Sequence, residues 1–195
     1  FHHVDGAWSQ SRDVFREMLE AAKAACVDGL VERVGLCNAP PGAVRLGKEV
    51  LGHWLVSVQN EYSVWTRDAE LPESDARTSK RGVLRECARL GLVFVGYAPL
   101  GGLAARRGQR SVVSALPSLG GVADPLGAYF RYVQLRLARS CPSSVVLFGA
   151  RDVAHVRAGL RAVAWDSAAP DSAPIGIGMA EPLMSALDRE WPSSR

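Results

Sequence analysis

Short apolar, β-branched runs punctuate the chain at Phe1–Val4, Arg33–Asn38 (RVGLCN), Leu55–Asn60 (LVSVQN), Leu92–Ala98 (LVFVGYA) and Ser144–Gly149 (SVVLFG). Within each run the apolar positions are nearly continuous rather than alternating with polar ones. That pattern belongs to strands buried on both faces, as in a parallel sheet. Between the runs the apolar spacing lengthens to three and four residues. Val14, Phe15, Met18, Leu19, Ala22 and Cys26 predict a helix capped by Ser11 or Asp13 and stopped at Gly29. Pro40–Pro41 predicts the start of a helix running to Leu51. Ser79–Leu90 (ending at Gly91), Leu126–Arg139 and Asp152–Val163 predict three more. Strand and helix therefore alternate, the order of βα units around a parallel sheet in an α/β fold. From Ser167 the stretch SAAPDSAPIGIGMAEP breaks the rhythm with Pro, Gly, Ala and Ser. The expected organisation is one domain over residues 1–166 and a tail over 167–195, with a short helix in Glu181–Trp191.

Composition narrows the function classes. With 48% hydrophobic and 22% charged residues the chain is that of an ordinary globular domain. Its net charge of +3 carries no Lys/Arg stripe interleaved with aromatics, so nucleic acid is not an expected partner. No apolar run approaches the ~18 residues of a membrane span, and no secretory leader is read at the start. Cys26, Cys37, Cys87 and Cys141 lack the close spacing of a zinc or redox motif. Free thiols point to a reducing compartment, so a cytoplasmic location is expected. No metal site is expected: His2 and His3 are neighbours on a strand and point to opposite faces. The opening FHHVD, strand-like and without Met, reads as the interior of a longer barrel.

Polar residues gather where the strands end, which is where βα barrels carry their chemistry. The strand ends hold His2, His3 and Asp5, then Cys37–Asn38, then Gln59–Asn60–Glu61–Tyr62, then Tyr97–Ala98–Pro99–Leu100–Gly101–Gly102, and finally Gly149–Ala150–Arg151. Asn and Gln amides pair a donor with an acceptor and can read a carboxamide. An aromatic ring can stack on a flat heterocycle. Together these groups suit a nicotinamide.

At these residues the sequence resembles the aldo-keto reductases. VSVQNEYS, LGLVFVGYAPLGG and VVLFGARDVAHV are similar to successive strands of that family, RVGLCN to its "IGVSN" strand and FHHVD to its "LHRVD" strand. The likeness runs in order from Phe1 to about Ala164. It implies part of a (β/α)8 TIM barrel, about five of the eight βα units, with parallel strands and outer helices. It also implies NADPH, with NADH as the alternative, and reduction of a small-molecule aldehyde or ketone by hydride transfer. The family's catalytic tetrad is Asp, Tyr, Lys and His, in which Tyr donates the proton. His2 matches the tetrad His; the other three match no position in this sequence.

The resemblance carries the cofactor contacts over position by position. Asn38 and Gln59 match the carboxamide ligands, and Tyr97 the ring that stacks on the nicotinamide. Leu100 and Gly101 match backbone donors in the loop that follows, and Arg151 is placed at the 2′-phosphate. Cys37 and Ala98 each stand where the family usually has Ser. His155 stands where Gln or Arg is frequent, and Ala158 and Gly159 replace a Glu–Asn pair that reads adenine.

Three functional readings follow. In the first, the chain is part of a reductase and is inactive alone. In the second it is a non-enzymatic interaction protein using a degenerate form of the fold. The third is another barrel such as a phosphate-binding lyase, which QNEYS and YAPLGG argue against. The stretch Gly6–Ser11 is expected to be a short loop, Trp65 a candidate substrate-pocket residue, and Arg106 or Arg107 candidates at the pyrophosphate.

Overall fold

The computed structural model describes residues 1–2, 4–102, 125–150 and 152–164. Four parallel strands form one sheet in chain order: β1 (Val34–Cys37), β2 (Leu55–Glu61), β3 (Val93–Tyr97) and β4 (Ser144–Leu147). Helices α1 (Val4–Gln10) and α2 (Arg12–Val27) precede β1. Helix α3 (Pro41–Leu51) joins β1 to β2, α4 (Val83–Leu90) lies between β2 and β3, and α5 (Pro125–Ser140) between β3 and β4. Helix α6 (Val153–Ala164) follows β4.

Local chemistry explains most of these boundaries. The Ser11 hydroxyl accepts from the Asp13 and Val14 amides and caps α2. Pro41, which has no N–H to leave unsatisfied, opens α3. Gly91 closes α4 in the left-handed conformation. That helix starts at Val83 rather than Ser79, because Gly82 has φ +83° and interrupts the helical path. Only part of the apolar face expected on α2 is used: Phe15, Leu19 and Cys26 are buried, whereas Val14 and Met18 are exposed.

The first expected strand is not among the described elements. Phe1 is bonded to the sheet, its nitrogen donating to Gly35 O at 2.7 Å and its carbonyl accepting from Cys37 N at 2.8 Å. Val4 already belongs to α1, and Gly6–Gln10, expected as loop, is helical too. Val4 and Trp8, one turn apart, bury together, and Asp5 in the first turn favours the helix N-terminus. Trp8 is also held from outside, its indole N–H donating to Arg77 O at 2.9 Å.

Strand register sorts the side chains into two faces. Leu36, Val58, Phe94 and Ser144 share one row on the face packed against helices, as do Asn60, Gly96 and Val146. Cys37, Gln59, Val95 and Val145 form a row on the opposite face, followed by Glu61, Tyr97 and Leu147. No described helix lies across that second face at β4, where Val145 and Leu147 are 51% and 48% exposed.

Polar ties hold α5 to the strand ends. Arg136 meets Glu70 with two bonds, of 3.0 and 2.6 Å, and the Tyr62 hydroxyl donates to the same carboxylate. The Tyr129 hydroxyl donates to Pro99 O. The four cysteines are buried, and none forms a disulfide. Burial pushes the Cys87 thiol far up, so it stays protonated and packs as a small apolar residue.

Two outcomes follow. Arg136→Ala leaves Glu70 without its main partner and is expected to cost about 1–3 kcal/mol, read from denaturant unfolding. The 195-residue chain by itself is expected to self-associate through its uncovered sheet face, and Val145→Lys/Leu147→Lys to reduce this. Light scattering showing a monodisperse wild-type monomer would count against that expectation.

Candidate functional site

The C-terminal ends of β1, β2 and β3 build one polar rim. Asn38, the residue after β1, has φ +58°, and its N–H donates to Gln59 O at 2.8 Å, extending the ladder by one bond. Ala98, the residue after β3, has φ +54°. A left-handed conformation is unfavourable for alanine and is tolerated better by asparagine than by most non-glycine residues; unusual backbone of this kind recurs at ligand sites.

Tyr97, on β3, reaches past the end of β2. Its hydroxyl donates to Asn38 Oδ1 at 2.8 Å, tying the first and third strand ends together. Burial first, and the Glu61 carboxylate second, push the Tyr97 phenol up from its ordinary value, which keeps it a protonated donor. Gln59 sits one position below Glu61's row, paired with Cys37 and Val95 and half-buried on the uncovered face.

His2 reaches the same rim. The two backbone bonds of Phe1 set it level with Leu36 in a parallel ladder, which sets His2 level with Cys37. His2 is exposed there. Leu100 packs half-buried against the core, and the Gly101 N–H donates to Ala98 O at 2.9 Å, closing the turn after β3. Of the two backbone donors expected in that turn, the Gly101 N–H is therefore engaged within it. Trp65 packs partly buried against the core beyond β2. Arg106, Arg107 and Arg151 lie outside the described residues.

The sequence position matched to an adenine-reading Asn is occupied by Gly159. A Cβ there would stand 2.0 Å from Phe148 Cζ, so a larger residue would require the Phe148 ring to move.

One residue of the rim escaped the sequence reading of roles. Asn60 is 1% exposed; its Oδ1 accepts from Ala39 N and its Nδ2 donates to Ala39 O, both at 3.0 Å. The signal was present in LVSVQN, because two-residue alternation places Asn60 on the face of Val58, and a polar residue on a buried face needs a partner.

Among the described residues no group of three His, Cys, Asp or Glu is placed to hold a metal. No described helix is long and apolar enough to cross a membrane.

Comparison with known proteins gives the family and the fold. Residues 1–113 match the model of the aldo/keto reductase family. A soybean (Glycine max) relative, "Probable aldo-keto reductase 1", is 32% identical over 85 residues, covering 44% of this chain and 21% of that protein. A thermostable aldo-keto reductase solved with the inhibitor epalrestat superposes with a TM-score of 0.58 at 19% identity, over 88% of this chain and 54% of that one. At that identity the likeness establishes the fold. This chain spans about half the length of the solved protein and about a fifth of the soybean one. With the family model covering more than half of its residues, the chain belongs to the aldo/keto reductase family.

Proposed function

We propose that this chain forms the nicotinamide-binding rim of an NAD(P)H-dependent reductase of aldehydes or ketones. The observation that carries the reading is the joining of Asn38, Gln59 and Tyr97 at one strand-end rim, through the Tyr97–Asn38 and Asn38–Gln59 hydrogen bonds. The donor set fits the group. Two amides offer both donors and acceptors for a carboxamide, and a half-buried phenol ring lies beside them. Asn38 and Gln59 hold the carboxamide, Tyr97 stacks on the ring, and the Leu100–Gly101 turn faces the pyrophosphate. Arg151 takes the 2′-phosphate, which favours NADPH over NADH. When bound, the cofactor supplies the hydride. His2, level with Cys37 at the rim, orients the carbonyl of a small-molecule substrate. The family's proton donor and its Lys and Asp partners match no residue of this sequence, so the 195-residue chain binds cofactor without turning over. The reductase domain comprises residues 1–166 and the cytoplasm is the compartment; the tail expected over 167–195, with its helix in Glu181–Trp191, lies outside the described residues.

A non-enzymatic interaction role is the second reading, favoured by the exposed Val145 and Leu147. Failure to bind either NADPH or NADH would shift support to it.

NADPH is expected to quench the tryptophan fluorescence of the chain on binding. Asn38→Ala should weaken that binding about tenfold, the loss of roughly one net hydrogen bond; unchanged affinity would remove Asn38 from the site. No NADPH oxidation is expected with an aldehyde present, since general acid catalysis alone is typically worth ~10²–10⁴-fold. Turnover by the purified chain would show that another group donates the proton.

A further inference from the structure

Asn60 is a buried polar side chain for which the cofactor contacts proposed above have no use. It lies on the helix-packed face of β2, and both ends of its amide go to one residue, Ala39. Those bonds fix the N–H and the C=O of Ala39, immediately after Asn38. On the other side of Asn38, its own N–H is held by Gln59 O. The left-handed backbone of Asn38, at φ +58°, is therefore pinned from both directions. This conformation is uncommon outside glycine, although asparagine tolerates it better than most residues, and it sets where the Asn38 side chain goes. Its Oδ1 is thereby brought within 2.8 Å of the Tyr97 hydroxyl.

We infer that Asn60 is a positioning residue for nicotinamide recognition: by clamping Ala39 it holds Asn38 in the left-handed conformation that presents its amide at the rim. The inference rests on the proposed role of Asn38 as a carboxamide ligand and adds to it the residue that sets its orientation. Satisfying two buried backbone groups is a structural service that an Asn in this place performs in any case. A purely structural Asn60 would, when lost, lower stability and weaken all parts of the cofactor alike. A positioning Asn60 would weaken the nicotinamide end alone.

The experiment compares NADP⁺ with 2′-phospho-ADP-ribose, the same molecule without its nicotinamide. Dissociation constants for both are measured on the 195-residue chain as wild type, Asn60→Ala and Asn60→Asp. The aspartate is nearly the same shape; it keeps the acceptor for the Ala39 N–H, loses the donor to Ala39 O, and serves where the alanine variant fails to fold. Asn60→Ala is expected to weaken NADP⁺ about five- to twentyfold, the scale of one to two hydrogen bonds, with the fragment's affinity unchanged. Asn60→Asp, whose buried carboxylate sets an oxygen against Ala39 O, is expected to weaken NADP⁺ at least as much, again with the fragment's affinity unchanged. Equal weakening of both ligands, or no weakening of either, overturns the inference while leaving the cofactor reading in place. Failure of the wild-type chain to bind NADP⁺ at all overturns both.

Discussion

Parallel register sets Cys37, Gln59, Val95 and Val145 side by side in one row, and Glu61, Tyr97 and Leu147 in the next. Everything at the rim depends on that alignment. A slip of one residue would carry Gln59 and Tyr97 to the helix-packed face and turn Asn60 outward, because side chains alternate with a period of two. What pins the register is the apolar set on the opposite face: Leu36, Val58 and Phe94 are all buried there, with Gly96 among them. Gly96 is small for a reason. A Cβ at that position would stand 3.1 Å from both Leu137 and Tyr62, so α5 seats closely over the sheet at the level of Tyr97. Core packing and site geometry are thus two faces of the same strands.

Helix limits were legible wherever a residue's own chemistry imposes them. Ser11 as cap, Pro41 as first residue and Gly91 as terminator all act within a few residues of themselves. The misreadings lie where local pattern competes with packing. FHHV has the apolar ends of a strand, yet Val4 joins Trp8 on the buried side of α1, while Phe1 keeps its strand bonds. SKRG has helix-forming residues, but Gly82 adopts φ +83° against Glu73, whose Cα stands 3.1 Å from where a Cβ would be. That close approach joins residues nine positions apart, and no helical periodicity reports it.

The candidate site was legible to a different degree. Asn38, Gln59 and Tyr97 were singled out by residue type at strand ends, and the structure gathers them because parallel strands end on one level. The bond between Tyr97 and Asn38, which passes over an intervening strand, could not be read from spacing. Nor could the surroundings of Gly159, since the Phe148 ring beside it comes from the preceding strand end. Read from sequence, Gly159 is a loss of adenine contact; in the fold it is also the residue on which the Phe148 ring packs closely.

The rim also shows why strain is retained. Asn38 and Ala98 both hold left-handed backbone, which asparagine tolerates better than alanine does, although glycine would take either conformation freely. At Asn38 glycine would remove the amide that accepts from Tyr97, so strain is the condition for having that side chain there. Its cost is offset by the Asn38–Gln59 ladder bond and by the two Asn60–Ala39 bonds, all of them buried or nearly so. At Ala98 the accounting differs. Its side chain makes no hydrogen bond, and the Gly101 N–H bond to its carbonyl is one that a glycine would also accept. What the methyl group does is fill space against Gly102, whose own Cβ position lies 3.0 Å away. The strain at the end of β1 thus secures a polar group, while that at the end of β3 secures the shape of a glycine turn. Two residues with positive φ on one rim are therefore held there by different forces, and only at the first does a side-chain hydrogen bond to a neighbouring strand end take part.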